Sequence, residues 1–195
     1  MRRLLIATTN PGKLAEFREL LGDLPVELAL PERDLHVDET GHTYAENAAL
    51  KARAYAAAGG LPTLADDSGL EVDALGGAPG LHSARYSPLP GANDADRRAH
   101  LLVNLRDLPR PWTAHFHCTV ALALPGGEVQ FSDGDVFGEI LPEERGSNGF
   151  GYDPLFLLPG LGRTMAELTR EEKSALSHRG RAARRMGALL GMETR

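Results

Sequence analysis

Four short stretches of this chain hold residue types that could do chemistry together. Asp66-Asp67-Ser68-Gly69 follows the segment Leu61–Ala65 and reads as a turn. Adjacent carboxylates repel, so a cation or a shared proton is needed to hold them together. Magnesium takes one or two carboxylates and completes its shell with phosphate oxygens and water. A second acidic pair, Asp38-Glu39, stands just before Thr40-Gly41 and offers the partner carboxylate from either residue. Thr8-Thr9-Asn10-Pro11-Gly12-Lys13 brings a hydroxyl, an amide and an ammonium to a strand-to-helix turn. Free N–H groups and the positive end of the helix dipole attract phosphate there.

Gly149-Phe150-Gly151-Tyr152-Asp153-Pro154 sets two aromatics among glycines. A flat ligand such as a purine can approach the backbone there while Phe150 or Tyr152 stacks on it. Lys173 and Ser177 are spaced for one helix face, with His178 and Arg179 following. Their directed donors suit phosphate and the O6/N7 edge of a purine. Taken singly, each stretch has a plainer meaning: a well-capped helix, two solvated turn aspartates, a loop capping the core, a basic helix face. His115-Phe116-His117-Cys118 is no zinc site, because strand alternation puts the histidines and Cys118 on opposite faces.

The elements that position these residues follow from period and punctuation. Arg3–Thr8 is a strand; Asn10 caps, and Pro11 opens, an amphipathic helix. Val26–Leu30 is a second strand, and Thr43-Tyr44-Ala45-Glu46 is a capping box for an alanine-rich helix ending at Gly59-Gly60. Leu70–Val72 continues extended, Gly76–Gly91 is loop, and Asn93 or Asp94 caps a helix through Leu105. Alternation from Trp112 to Leu124, then Gly126-Gly127, predicts a hairpin whose second strand covers Glu128–Phe137. Thr169-Arg170-Glu171-Glu172 is another capping box, opening a basic helix that relaxes near Gly180. Strands alternating with helices around a hairpin predict an α/β fold with a mixed sheet and two lobes about a cleft.

The 195 residues amount to a single domain, or two small lobes, with an ordinary hydrophobic share of 42%. Net charge is −6, but the segment from Arg163 onward carries +4 and residues 1–162 carry −10. An acidic body and a basic tail suit a metal–phosphate substrate and argue against general nucleic-acid binding. The lone Cys118 makes no internal disulfide, and no apolar run could span a bilayer. A cytoplasmic protein is the expectation.

In order along the chain, these motifs resemble the inosine triphosphatase family, the bacterial XTP/dITP diphosphatases. The resemblance covers Thr8–Lys13, Glu39-Thr40-Gly41 with Glu46-Asn47-Ala48, Ala65–Leu70, Gly76–Gly80 with Ser83–Tyr86, Gly149–Pro154, Ala166-Glu167-Leu168, and Glu172–Ala175 leading to Ser177-His178-Arg179. His82 stands where bacterial relatives often have tyrosine. The resemblance implies an elongated central mixed sheet flanked by helices, a nucleotide cleft, a homodimer, and Mg²⁺-dependent hydrolysis of ITP, dITP and XTP. It implies that Asp67 is the metal-linked general base, with Asp38 or Glu39 as the other metal residue. It makes Thr8–Lys13, Ser68, Phe150–Asp153, Lys173, His178 and Arg179 the nucleotide contacts.

Overall fold

A computed structural model describes residues 2–22 and 24–192. Among the described residues seven strands form one mixed sheet in the order β2-β1-β3-β4-β5-β6-β7. The strands are β1 (Arg2–Ile6), β2 (Val26–Ala29), β3 (Thr63–Val72), β4 (Trp112–Ala123), β5 (Val129–Ile140), β6 (Phe156–Leu158) and β7 (Arg163–Thr164). Parallel pairing of β1 with β2 and β3 requires helical crossovers, supplied by α1 (Pro11–Leu20) and α2 (Tyr44–Gly59). Antiparallel pairing joins β5 to β6 and β6 to β7. Among the described residues the further α-helices are α3 (Asp94–Leu105), α4 (Arg170–Leu176) and α5 (His178–Met192), with short 3-10 turns at Asp73–Leu75, Gly80–Arg85 and Met165–Glu167. Among the described residues no helix is long and apolar enough to cross a membrane.

The chain divides into two compact units. The first holds the residues up to Asp67, Cys118–Gly134 and those from His178 onward; the second holds Ser68–His117 and Asp135–Ser177. In the first unit side-chain alternation sorts the strands onto two cores. Leu4, Ile6, Leu64, Cys118, Val120 and Leu122 share one with Phe17 of α1 and Ala182, Ala183 and Met186 of α5. Leu5, Ala7, Ala65, Ala121 and Ala123 share the other with Ala48, Ala52, Tyr55 and Ala56 of α2. The alanines are small enough for α2 to lie close on the strands. The second unit has its own core, in which Leu101 and Leu105 of α3 meet Trp112, Phe116, Val136, Ile140, Tyr152 and Phe156.

Capping decides the helix ends. Asn10 Oδ1 accepts from the N–H groups of Gly12 and Lys13, and complete capping boxes open α2 (Thr43 and Glu46), α3 (Asn93 and Asp96) and α4 (Thr169 and Glu172). Two expectations are corrected. Asp66–Gly69 is no turn but lies inside the ten-residue strand β3. The basic helix breaks at Ser177, whose ψ of 158° is extended, rather than near Gly180. Lys173 and Ser177 therefore do not share a helix face, and His178 opens a new helix.

Candidate active site

Because Asp66 and Asp67 are successive strand residues, they point to opposite faces of the sheet and meet different partners. Asp66 Oδ2 lies 3.0 Å from Lys13 Nζ and 3.2 Å from Arg179 Nε. Burial alone would raise its pKa; the cations Lys13 and Arg179 outweigh burial and hold the carboxyl well below the usual range. Arg179 Nη1 reaches Glu16 on α1. Its side chain is 2% exposed and its charge is held by both carboxylates. The burial that threatens each member is thus offset within one cluster, where charges are kept only if paired and hydrogen-bonded.

Asp67 faces another set. Its Oδ2 accepts from Asn47 Nδ2 at 3.2 Å, and its Oδ1 lies 3.7 Å from Lys51 Nζ. Lys51 Nζ also donates to Glu39 Oε1 at 2.7 Å. Two carboxylates from separate segments thus converge on one ammonium. Burial, with the negative charges of Glu39 and Asp66, raises the Asp67 pKa against the pull of Lys51 and Lys13. The Lys51 pKa rises as well: burial opposes this, but Asp67, Asp66 and Glu39 prevail. Asp38 has no part in the convergence; its side chain is 80% exposed and lies 3.1 Å from His36. Of the two acidic residues left open by the sequence, Glu39 is the one facing Asp67's cation.

The set suits a divalent ion that also holds phosphate. Asp67 and Glu39 offer hard carboxylate oxygens, and burial together with the charges of Glu39 and Asp66 raises the Asp67 pKa, a cost that a bound cation would relieve. Among the described residues no cluster of three acidic, histidine or cysteine ligands forms a cage.

At the first turn, Thr8 Oγ1 accepts from Asn10 N–H at 3.2 Å, and Asn10 Oδ1 accepts from Gly12 and Lys13 N–H at 2.9 and 3.1 Å. Those two N–H groups, expected to be open to phosphate, are spent on the cap. Thr9 and Pro11 are exposed, and Thr8, Gly12 and Lys13 are half-buried. Lys13 reaches inward to Asp66.

In the second unit the aromatic loop is built from within. Lys173 Nζ pairs with Asp153 Oδ2, and the ammonium sits 4.7 Å from the Phe150 ring centroid. Asp153 also accepts from Phe150 N–H at 2.9 Å. Gly151 N–H donates to Asp94 at 2.7 Å and its carbonyl accepts from Arg98 at 2.8 Å, tying the loop to α3. Tyr152 is corrected as a stacking residue: its ring is in the core and its hydroxyl donates to the Ser83 carbonyl at 2.9 Å. Lys173 pairs with Asp153, so a phosphate contact there would share the ammonium with that carboxylate, as at Lys13 and Asp66. Half-buried Phe150 keeps the stacking role open, and Ser68 is half-buried on β3. His178 is buried at the start of α5.

Gly149 lets this loop close. Its φ is +78°, and a Cβ there would lie 2.1 Å from Asp153 Oδ2. Gly149→Ala is expected to push Asp153 off Lys173 and displace Phe150, lowering kcat/KM for purine triphosphates by about tenfold or more, the scale of losing one directed contact. Steady-state kinetics on the folded variant check it; an unchanged kcat/KM would separate the loop from substrate.

Residues assigned no role from the sequence, Asn47 among them although it lies in the Glu46-Asn47-Ala48 motif, now stand beside the carboxylates: Asn47, Lys51 and Glu16. A signal for them existed. Asn47 and Lys51 are i, i+4 along α2, on the side that buries Ala48, Ala52 and Tyr55, where an alanine-rich stripe has no need of a polar group.

A sequence profile of the Ham1 family matches residues 4–189. The chain belongs to the Ham1 family. Its relatives include proteins named dITP/XTP pyrophosphatase from Exiguobacterium sibiricum, 47% identical over 96% of both chains. One of the same name from Geobacter sulfurreducens is 50% identical over 93% of both. A HAM1 protein from Coxiella burnetii superposes with a TM-score of 0.89 at 42% identity, covering 98% of this chain and all of that one. The fold of this Ham1 chain and the resemblance read from its motifs agree with these matches.

Proposed function

We propose that this chain hydrolyses non-standard purine nucleoside triphosphates (ITP, dITP and XTP) to the monophosphate and pyrophosphate. The observation that carries the reading is the convergence of Asp67 and Glu39 on one cation, in a chain whose relatives bear the name dITP/XTP pyrophosphatase. Asp67 and Glu39 would hold Mg²⁺, which supplies charge stabilisation to the phosphate oxygens when bound.

Asp67 is the general base. Its carboxylate takes a proton as a water oxygen bonds to the α-phosphorus and the bond to the α–β bridging oxygen breaks, releasing pyrophosphate. Its raised pKa makes it a better proton acceptor than an ordinary aspartate. Lys13, on its half-buried turn with Thr8 and Asn10, meets phosphate charge, while Asp66 keeps that ammonium in one orientation. Phe150 stacks on the base, with Lys173 behind its ring. His178 and Arg179 are carried over from the resemblance as contacts to the base edge. For Arg179 such a contact requires a donor beyond those held by Glu16 and Asp66. A homodimer in the cytoplasm, working as a single catalytic domain, completes the reading.

Pyrophosphate release from a panel of ITP, dITP, XTP, GTP and ATP, with and without Mg²⁺, tests it. The expected result is rapid, Mg²⁺-dependent release from the first three and slow release from ATP. Release of orthophosphate in place of pyrophosphate, or equal rates on ATP, would overturn the reading.

A further inference from the structure

The side-chain amide of Asn47 is fully buried, and its two ends serve two different segments. Nδ2 donates to Asp67 Oδ2 at 3.2 Å, and Oδ1 accepts from Gly41 N–H at 2.8 Å. The partners fix which end is which, since an N–H must face oxygen and a carboxylate must face the NH₂. The helix does not need this side chain: the Asn47 backbone N–H already bonds Thr43, and the capping box is made by Thr43 and Glu46. Asparagine is also a weaker helix former than the alanines around it.

Gly41 is shaped to the same contact. A Cβ at Gly41 would lie 2.7 Å from Asn47 Oδ1 and 2.6 Å from Glu46 Cβ. Only glycine lets the segment come this close. Glu39 lies two residues before Gly41, so one amide ties the strand bearing Asp67 to the segment bearing Glu39. Lys51, one helical turn beyond Asn47, spans the same two carboxylates from the other side.

We propose that Asn47 is a positioning residue that sets the orientation of Asp67 and its spacing from Glu39. The inference rests on the reading of Asp67 as the general base. Asn47→Asp is nearly isosteric; it keeps an acceptor for Gly41 N–H but turns an oxygen toward Asp67. In the folded variant kcat for dITP should fall about 10²-fold, the scale of a misplaced reacting group. KM should change by less than about threefold, because phosphate and base contacts are untouched. The exchange variant Asn47→Asp/Asp67→Asn restores an N–H to carboxylate bond with its polarity reversed. Its Tm should return to within about 2 °C of Asp67→Asn alone, since the pair is again satisfied. Its kcat should stay at the Asp67→Asn level.

Wild-type kcat in Asn47→Asp, or a raised KM with kcat retained, would overturn the inference while leaving the reading of Asp67 intact. A fall in Tm with kcat retained would do the same, by reducing Asn47 to a structural role. Near-wild-type turnover in Asp67→Asn would remove the base itself, and the inference with it. Should Asn47→Asp fail to fold, Asn47→Ser, which adds no charge, gives the same kcat-against-KM reading.

Discussion

Asp67→Asn is expected to lower turnover by about 10²–10⁴-fold, the range a positioned general base contributes. The variant should nonetheless fold as well as the wild type. Asparagine keeps an oxygen that can accept from Asn47 Nδ2, and Lys51 retains Glu39. The charge balance favours it too. Burial and the charges of Glu39 and Asp66 raise the Asp67 pKa above its unfolded value, so the folded state penalises the ionised form. That penalty is absent at low pH, grows as pH rises from the ordinary aspartate value to the raised one, and is complete above it. Asp67→Asn removes it, so its Tm at neutral pH should equal or exceed that of the wild type. Stability given up at a functional group is a recurrent trade in enzymes. Kinetics and thermal melts on one preparation check both halves. Substantial turnover in the folded variant would take Asp67 out of the reaction.

Mg²⁺ enters the same argument. Held by Asp67 and Glu39, it would offset both the burial and the neighbouring negative charge that raise the Asp67 pKa, so added Mg²⁺ should raise Tm when no nucleotide is present.

Most residues of the candidate site were legible in the sequence by type, whereas their pairings were not. Capping boxes at Thr43, Asn93 and Thr169 mark their helices because cap chemistry is local. The hairpin of β4 and β5 is legible because alternation and Gly126-Gly127 are local too. Asp66–Gly69 misleads for a physical reason: aspartate, serine and glycine favour turns in isolation, but pairing and burial within the sheet override that preference. Once the segment is a strand, alternation sends Asp66 to Lys13 and Arg179 and sends Asp67 to Asn47 and Lys51. Nothing local distinguishes those fates. The break at Ser177 is hidden likewise, since a serine inside a helical pattern carries no strong stop signal. The strands β6 and β7, of three and two residues, are too short for any period to show.

Arg179 is where a reading by residue type and a reading by geometry diverge most. By type, its guanidinium suits the O6/N7 edge of a purine. By geometry, Nε and Nη1 are held by Asp66 and Glu16 in the interior of the first unit. Arg179→Ala would take from buried Glu16 and Asp66 the guanidinium they share, a loss of about 3–5 kcal/mol for a broken buried pair. The pH dependence should follow. Asp66 has a depressed pKa in the folded state, so it contributes stability above its ordinary value and loses it as pH falls through the folded one. Without Arg179 that depression shrinks to what Lys13 and Lys51 sustain, so the variant should gain less stability than the wild type between acid and neutral pH. Arg179→Lys keeps one charge but not the fork that spans two carboxylates, and should lie between the two. Asp66 also orients Lys13, so the folded variants should lose kcat/KM on ITP and ATP in similar proportion, as expected of damage on the phosphate side. Urea unfolding across pH, with both substrates assayed on Arg179→Lys, decides the matter. A stable variant whose preference for ITP over ATP narrows by about 1–3 kcal/mol, the worth of a directed base contact, would show that Arg179 reads the base after all.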